Sequence, residues 1–189
     1  MNDPLTGEEK KTLLQLARQS IRAAIRREAP PELKGTALTE ILQAEGASFV
    51  TLTKHGVLRG CIGALEPYQS LASDVREHAA AAALEDYRFP NVKEDELDQI
   101  KIEVSRLTRP QSLEYKDADD LLARLRPGVD GVILRDGRHR ATFLPQVWEK
   151  IPDRAEFLEN LCLKMGAAPD AWRTKHLDVL VYRVEEFHE

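Results

Sequence analysis

From Ser48 to Leu65 the chain reads SFVTLT, KHG, VLRGCIGAL: two β-branched runs around a short, glycine-containing turn. Side chains that alternate with a period of two suit half-buried strands, and so short a turn makes the first run the natural partner of the second. An antiparallel hairpin is therefore predicted, with Gly56 in the left-handed position of a three-residue loop. A second hairpin is predicted in GVILRDGRHRATFLP, where Asp136-Gly137 suits a type I′ turn that pairs Leu134 with His139 and Val132 with Ala141.

Helical patterns fall between the strands. Thr6 and Glu9 form a capping box ahead of Leu13, Ala17, Ile21, Ala24 and Ile25, which predicts a helix to about Ala29, before Pro30 and Pro31. Its other side carries Arg18, Arg22 and Arg26, either a stripe for an anionic partner or a solvated face. Further helices are predicted near 38–43, from Ser70 to about Asp86, and in DADDLLARLR, LPQVWEK and RAEFLENLCLKMG, while IKIEVSRL and LDVLVYRVEEF read as strands. Hairpins with interspersed helices, and no βαβα rhythm, predict an α+β fold with a mostly antiparallel sheet and flanking helices. The 189 residues suffice for one domain over 1–189, or for two small lobes sharing a core, with 107–117 and the proline-rich segments near 30 and 90 as candidate junctions.

Composition narrows the function classes. Twenty-seven Lys and Arg against 32 Asp and Glu leave a net charge of −5, which argues against a nucleic-acid partner. No apolar run is long enough for a membrane span, and the N-terminus lacks a basic-then-apolar secretion signal, so a cytoplasmic location is expected. Cys61 and Cys162 lie far apart and are expected to be free thiols. No two of His55, His78, His139, His176 and His188 are spaced to share a helix face, so no metal site is predicted, and no cofactor follows from the residues.

Chemistry concentrates in two motifs. In LRGCIG, strict alternation puts Arg59 and Cys61 on one face, roughly 7 Å apart. A guanidinium there favours a thiolate, the form that acts as nucleophile or ligand, whereas a buried free cysteine is a small apolar filler. Gly60 and Gly63 weaken a strand and are expected where a ligand or another backbone comes close. In EDYRF, Glu85, Asp86 and Arg88 gather at a helix end, either as a general acid or base with an anion clamp, or as an ion-pair network tying the helix to its loop. His139, on the predicted apolar face, reads as a substrate contact or as a hydrogen-bonded core histidine. Cys162, at helical spacing in FLENLCLKM, reads as core.

Taken together, LRGCIG with Leu65-Glu66-Pro67, EDYRFP, IKIEVSRL, Leu144-Pro145-Gln146-Val147, and FLENLCLKMG with Pro169 to Trp172 resemble, in order and spacing, the AMMECR domain family, called AmmeMemoRadiSam system protein A in prokaryotes. The resemblance covers nearly the whole chain from the first helix onward. It implies a two-lobe α/β fold whose motifs converge on a cleft, with Arg59, Gly60, Cys61, Gly63, Glu85, Asp86 and Arg88 as matching positions. Ala64 departs from it, standing where many relatives have Thr or Ser. The resemblance implies no particular reaction, but the system name implies a Memo-like protein and a radical SAM protein as partners. Lacking a three-cysteine cluster motif, this chain would be an accessory to them. Two readings of function follow: an enzyme or enzyme component acting through Cys61 on a small molecule or protein, or a non-catalytic module that recognises a peptide or an anionic ligand.

Overall fold

The computed structural model describes residues 4–33 and 38–189. The capping box at the first helix forms: Thr6 Oγ1 accepts from the Glu9 amide at 3.2 Å and Glu9 Oε2 accepts from the Thr6 amide at 2.8 Å, starting α1 (Gly7–Arg26). The helix stops short of the expected Ala29. Arg27 turns left-handed, with φ 60°, and its amide folds back onto the carbonyls of Ala23 and Ala24. Of the arginine stripe, Arg18 donates to the carbonyls of Leu97 and Ile100 and pairs with Glu189, and Arg26 pairs with Glu94, while Arg22 is exposed. Most of the stripe thus ties α1 to the segment that precedes the next long strand.

Then come α2 (Glu40–Gln43), β1 (Glu45–Lys54), β2 (Val57–Gly63), β3 (Gln69–Ser70), α3 (Leu71–Leu84), β4 (Ile100–Leu107), β5 (Gln111–Ser112), α4 (Ala118–Arg124), β6 (Gly131–Asp136), β7 (His139–Phe143), α5 (Arg154–Met165), α6 (Ala171–Thr174), β8 (Asp178–Tyr182) and β9 (Val184–His188). The LPQVWEK segment is a 3₁₀ turn, Pro145–Glu149, rather than an α-helix. Two antiparallel sheets result, ordered β2-β1-β4-β9 with β3 beside β1, and β5-β8-β6-β7, which makes the fold α+β. LDVLVYRVEEF, expected as one strand, breaks at Arg183 into β8 and β9, which belong to different sheets.

The chain divides into two compact units, Met1–Thr108 with Glu185–Glu189, and Arg109–Val184. In the first, Val50, Leu52, Ile102 and Val104 are fully buried on one sheet face, in one cluster with Leu13 and Ile21 of α1 and Val75 and Ala79 of α3. The second is built around Val132, Leu134, Leu161 and Trp172, with Trp148 stacked on Phe157. Among the described residues, no helix is long and apolar enough to cross a membrane.

The first hairpin closes more tightly than expected, and the second keeps its two-residue loop but turns one residue later. Lys54 pairs with Val57, so the first loop has two residues, His55 (φ 51°) and Gly56 (φ 77°), both left-handed as a type I′ turn requires. In the second, Asp136 pairs with His139 and Leu134 with Ala141, a shift of two from the expected register. Gly137 (φ 60°) takes the first turn position in place of Asp136, and Arg138 keeps a negative φ, the preference of a type II′ turn.

Candidate functional site

LRGCIG forms most of β2, the edge strand of the first sheet. Its alternation is interrupted: Thr53 pairs with Leu58 but Leu52 pairs with Gly60, which makes Arg59 the extra residue of a β-bulge. The bulge corrects the expectation that Arg59 and Cys61 share a face. Cys61 lies opposite Thr51, whose hydroxyl donates to its sulfur at 3.3 Å, and Thr51 in turn lies opposite Glu103. Cys61, Thr51 and Glu103 therefore form one cross-strand row on the face turned away from Val50 and Leu52. All three are half-buried, and the Glu103 side chain forms no ion pair or hydrogen bond among the described residues.

Arg59 instead pairs with Glu96 at 3.0 Å and donates to the carbonyls of Pro90 and Asn91. That guanidinium is the main reason the Glu96 carboxyl is held down to about 2. The cation that contacts Cys61 is Arg88, whose Nη2 donates to the Cys61 carbonyl at 3.2 Å. Asp86, 5% exposed, accepts the Cys61 amide at 2.8 Å and the Arg88 guanidinium at 2.6 Å. The pair Asp86 and Arg88 thus supplies an acceptor and a donor to one residue of the edge strand, as a neighbouring strand would. Arg88 holds the Asp86 carboxyl far below the usual carboxylate range, so Asp86 remains ionised at neutral pH and its oxygens are committed to this clasp.

The glycines answer to neighbouring protein groups. A Cβ on Gly60 would meet the Ala82 carbonyl oxygen of α3 at 2.1 Å, and one on Gly63 would meet the Phe49 ring and the Ser48 carbonyl, each at 2.4 Å. Glu85 caps α3, exposed, with its amide on Ala81 and no side-chain partner among the described residues. His139 has the parity expected of the apolar face, but the shifted register leaves it beside the turn and exposed, and it belongs to the second unit. Cys162 is fully buried, and burial pushes its thiol pKa up. Thr51 and Glu103 were missed by inspection of motifs. Thr51 comes opposite Cys61 only through the bulge at Arg59, and Glu103 enters the row through the pairing of β1 with β4, neither of which a motif shows.

A family model described as AMMECR1 matches residues 14–187. The chain belongs to the AMMECR1 family. A protein of Methanothermobacter thermautotrophicus is 40% identical over 98% of this chain and 97% of its own length. Protein MK0488 of Methanopyrus kandleri is 37% identical, covering 100% of this chain and 92% of its own. The fold is similar to the crystal structure of an uncharacterized protein, PH0010, from Pyrococcus horikoshii, with a TM-score of 0.79 and 32% identity across 98% of this chain and 93% of that one.

On the other face of the same AMMECR1 sheet lies a polar cluster absent from the motif reading. Ser48 donates to Asp74 Oδ2 at 2.6 Å and His78 Nδ1 lies 3.1 Å from the same oxygen, while Asp74 Oδ1 is buried without a partner. Tyr68, 59% exposed, places its hydroxyl 3.5 Å from both His78 Nε2 and Glu77 Oε2. Among the described residues, no three His, Cys, Asp or Glu side chains gather as a metal site.

Proposed function

We propose that this AMMECR1-family protein is an enzyme component acting through the thiol of Cys61, as nucleophile or anchoring sulfur, on a small-molecule or protein substrate. One observation supports this reading above the rest. Asp86 and Arg88 hold the backbone of Cys61 on both its amide and its carbonyl, while Thr51 donates to the sulfur from the next strand. The thiol is thereby fixed on a rigid strand, on the sheet face that also carries, two strands away, the Glu103 carboxylate, which has no side-chain partner among the described residues. By family association the protein serves a Memo-like protein and a radical SAM protein as an accessory, and a cytoplasmic location suits two free thiols. A thiol-reactive probe should modify Cys61 far faster than Cys162, read by peptide mass spectrometry. Equal, slow modification of both would remove the basis of the proposal.

A binding module is the second reading, favoured by the engagement of Arg59 and Asp86 in intramolecular bonds that leave neither free for acid–base work. Under it, Cys61→Ser binds a Memo-like partner as tightly as the parent does. A large loss of binding would return the role to the thiol.

A further inference from the structure

The Tyr68 hydroxyl stands 3.5 Å from a carboxylate oxygen and 3.5 Å from an imidazole nitrogen. Hydrogen bonds from a hydroxyl centre near 2.7–2.8 Å, so at this distance it bonds well to neither. The separation suits another arrangement. Metal bonds to oxygen and nitrogen of about 2.0–2.2 Å give a tetrahedron with edges of about 3.3–3.6 Å.

We propose that Tyr68 Oη, Glu77 Oε2 and His78 Nε2 are protein ligands of a transition-metal ion, zinc(II) or iron(III), with a fourth position open to solvent. His78 presents Nε2 because Asp74 accepts from its Nδ1, the carboxylate–histidine–metal pattern that fixes tautomer and ring orientation. Gln69 supports the carboxylate in the same way, donating to Glu77 Oε2 at 2.8 Å.

Charge points the same way. Asp74 is 0% exposed, with both its donors, Ser48 and His78, on one oxygen and none on the other. Neither Asp74 nor Glu77 pairs with a Lys or Arg among the described residues. A cation at His78 Nε2 acidifies Nδ1–H and strengthens its bond to Asp74, compensating a buried negative charge that the protein's own donors half satisfy. The ion would be reachable, since Tyr68 is exposed and Glu77 also borders a groove of about 300 Å³ between α1 and α3. The reading of histidine and cysteine spacing missed this set because one ligand is a tyrosine and the other two are sequence neighbours.

The test uses the full chain carrying Cys61→Ser, so that the thiol contributes nothing. Zinc, followed by calorimetry, is expected to bind at one equivalent; iron(III) is expected to give the visible colour of an iron–phenolate. Tyr68→Phe and Glu77→Gln, both exposed and harmless to folding, should each weaken zinc binding at least tenfold, and Tyr68→Phe should abolish the iron colour. Asp74→Asn should weaken zinc binding about 10–100-fold, as expected for a residue behind the ligand. No saturable uptake of either ion, or uptake unchanged in both Tyr68→Phe and Glu77→Gln, overturns the proposal.

Discussion

Replacing Asp86 with Ala tests whether the clasp on Cys61 holds the edge strand. The substitution leaves the Cys61 amide without its acceptor, a 2.8 Å bond to an ionised oxygen, which is worth ~1.5–3 kcal/mol. Losing the Arg88 pair adds ~1 kcal/mol or less, because that guanidinium is 46% exposed and water replaces much of its interaction. The expected destabilisation of the first unit is therefore about 1.5–4 kcal/mol. Asp86→Asn, which keeps an acceptor and loses the charge, should lie well below it. Trp148 and Trp172 both sit in the second unit, so fluorescence is the wrong probe. Urea unfolding followed by far-ultraviolet circular dichroism gives the midpoint shift, and hydrogen exchange at the Cys61 amide gives the local effect, a faster rate by ~10-fold or more. A double-mutant cycle with Arg88→Ala should show coupling of about 0.5 kcal/mol or more. A midpoint shift under ~0.5 kcal/mol, with the Cys61 amide as protected as before, would refute the reasoning.

Gly60→Ala should cost ~3 kcal/mol or more, because the new methyl lands 2.1 Å from a helix backbone oxygen that no rotamer change can move; a stable variant with the parent's urea midpoint would show that α3 and β2 separate easily. Thr51→Val keeps the shape and removes the donor to sulfur, so labelling of Cys61 should slow about fivefold, the equivalent of ~1 kcal/mol; an unchanged rate would show that the hydroxyl does not tune the thiol. Glu96 has a folded pKa of about 2 against an ordinary 4.5, so its contribution is complete above pH 4.5 and is lost as pH falls towards 2. After screening it amounts to ~1 kcal/mol, and Arg59→Ala should flatten this limb of the stability–pH profile; an unchanged slope would mean that another group sets it.

The local grammar of the fold was legible where single residues carry it. The Thr6 and Glu9 box acts within a turn of chain, so its effect can be read from order alone. Turn chemistry was only half legible, since a glycine at a hairpin marks a left-handed position without saying which one: the first loop closed on two residues in place of three, and the second kept two residues but began at Gly137. The bulge at Arg59 was illegible for another reason. It arises because Gly60 packs on α3 while Arg59 reaches Glu96, contacts between elements that no window of β2 contains. Strict alternation therefore placed the wrong cation beside the sulfur. The division of the last apolar run between two sheets was hidden in the same way, because β-branched residues suit either sheet and Arg183 carries no breaker signature.

These contacts constrain how any ligand reaches Cys61. An edge strand normally offers alternate amides and carbonyls to an incoming strand, and proteins block this with bulges and charges. Here a bulge lies at Arg59 and a charged clasp lies on Cys61, so both outward hydrogen-bonding groups of Cys61 are already matched. A peptide cannot add as a further strand at this position without expelling Asp86 and Arg88. It must meet the sulfur across the face that carries Thr51 and Glu103, by side-chain contact. In a complex, the Cys61 amide should therefore keep its exchange protection while modification of the thiol is blocked. Loss of that protection on binding would mean that the clasp opens and strand addition is the mode of recognition after all.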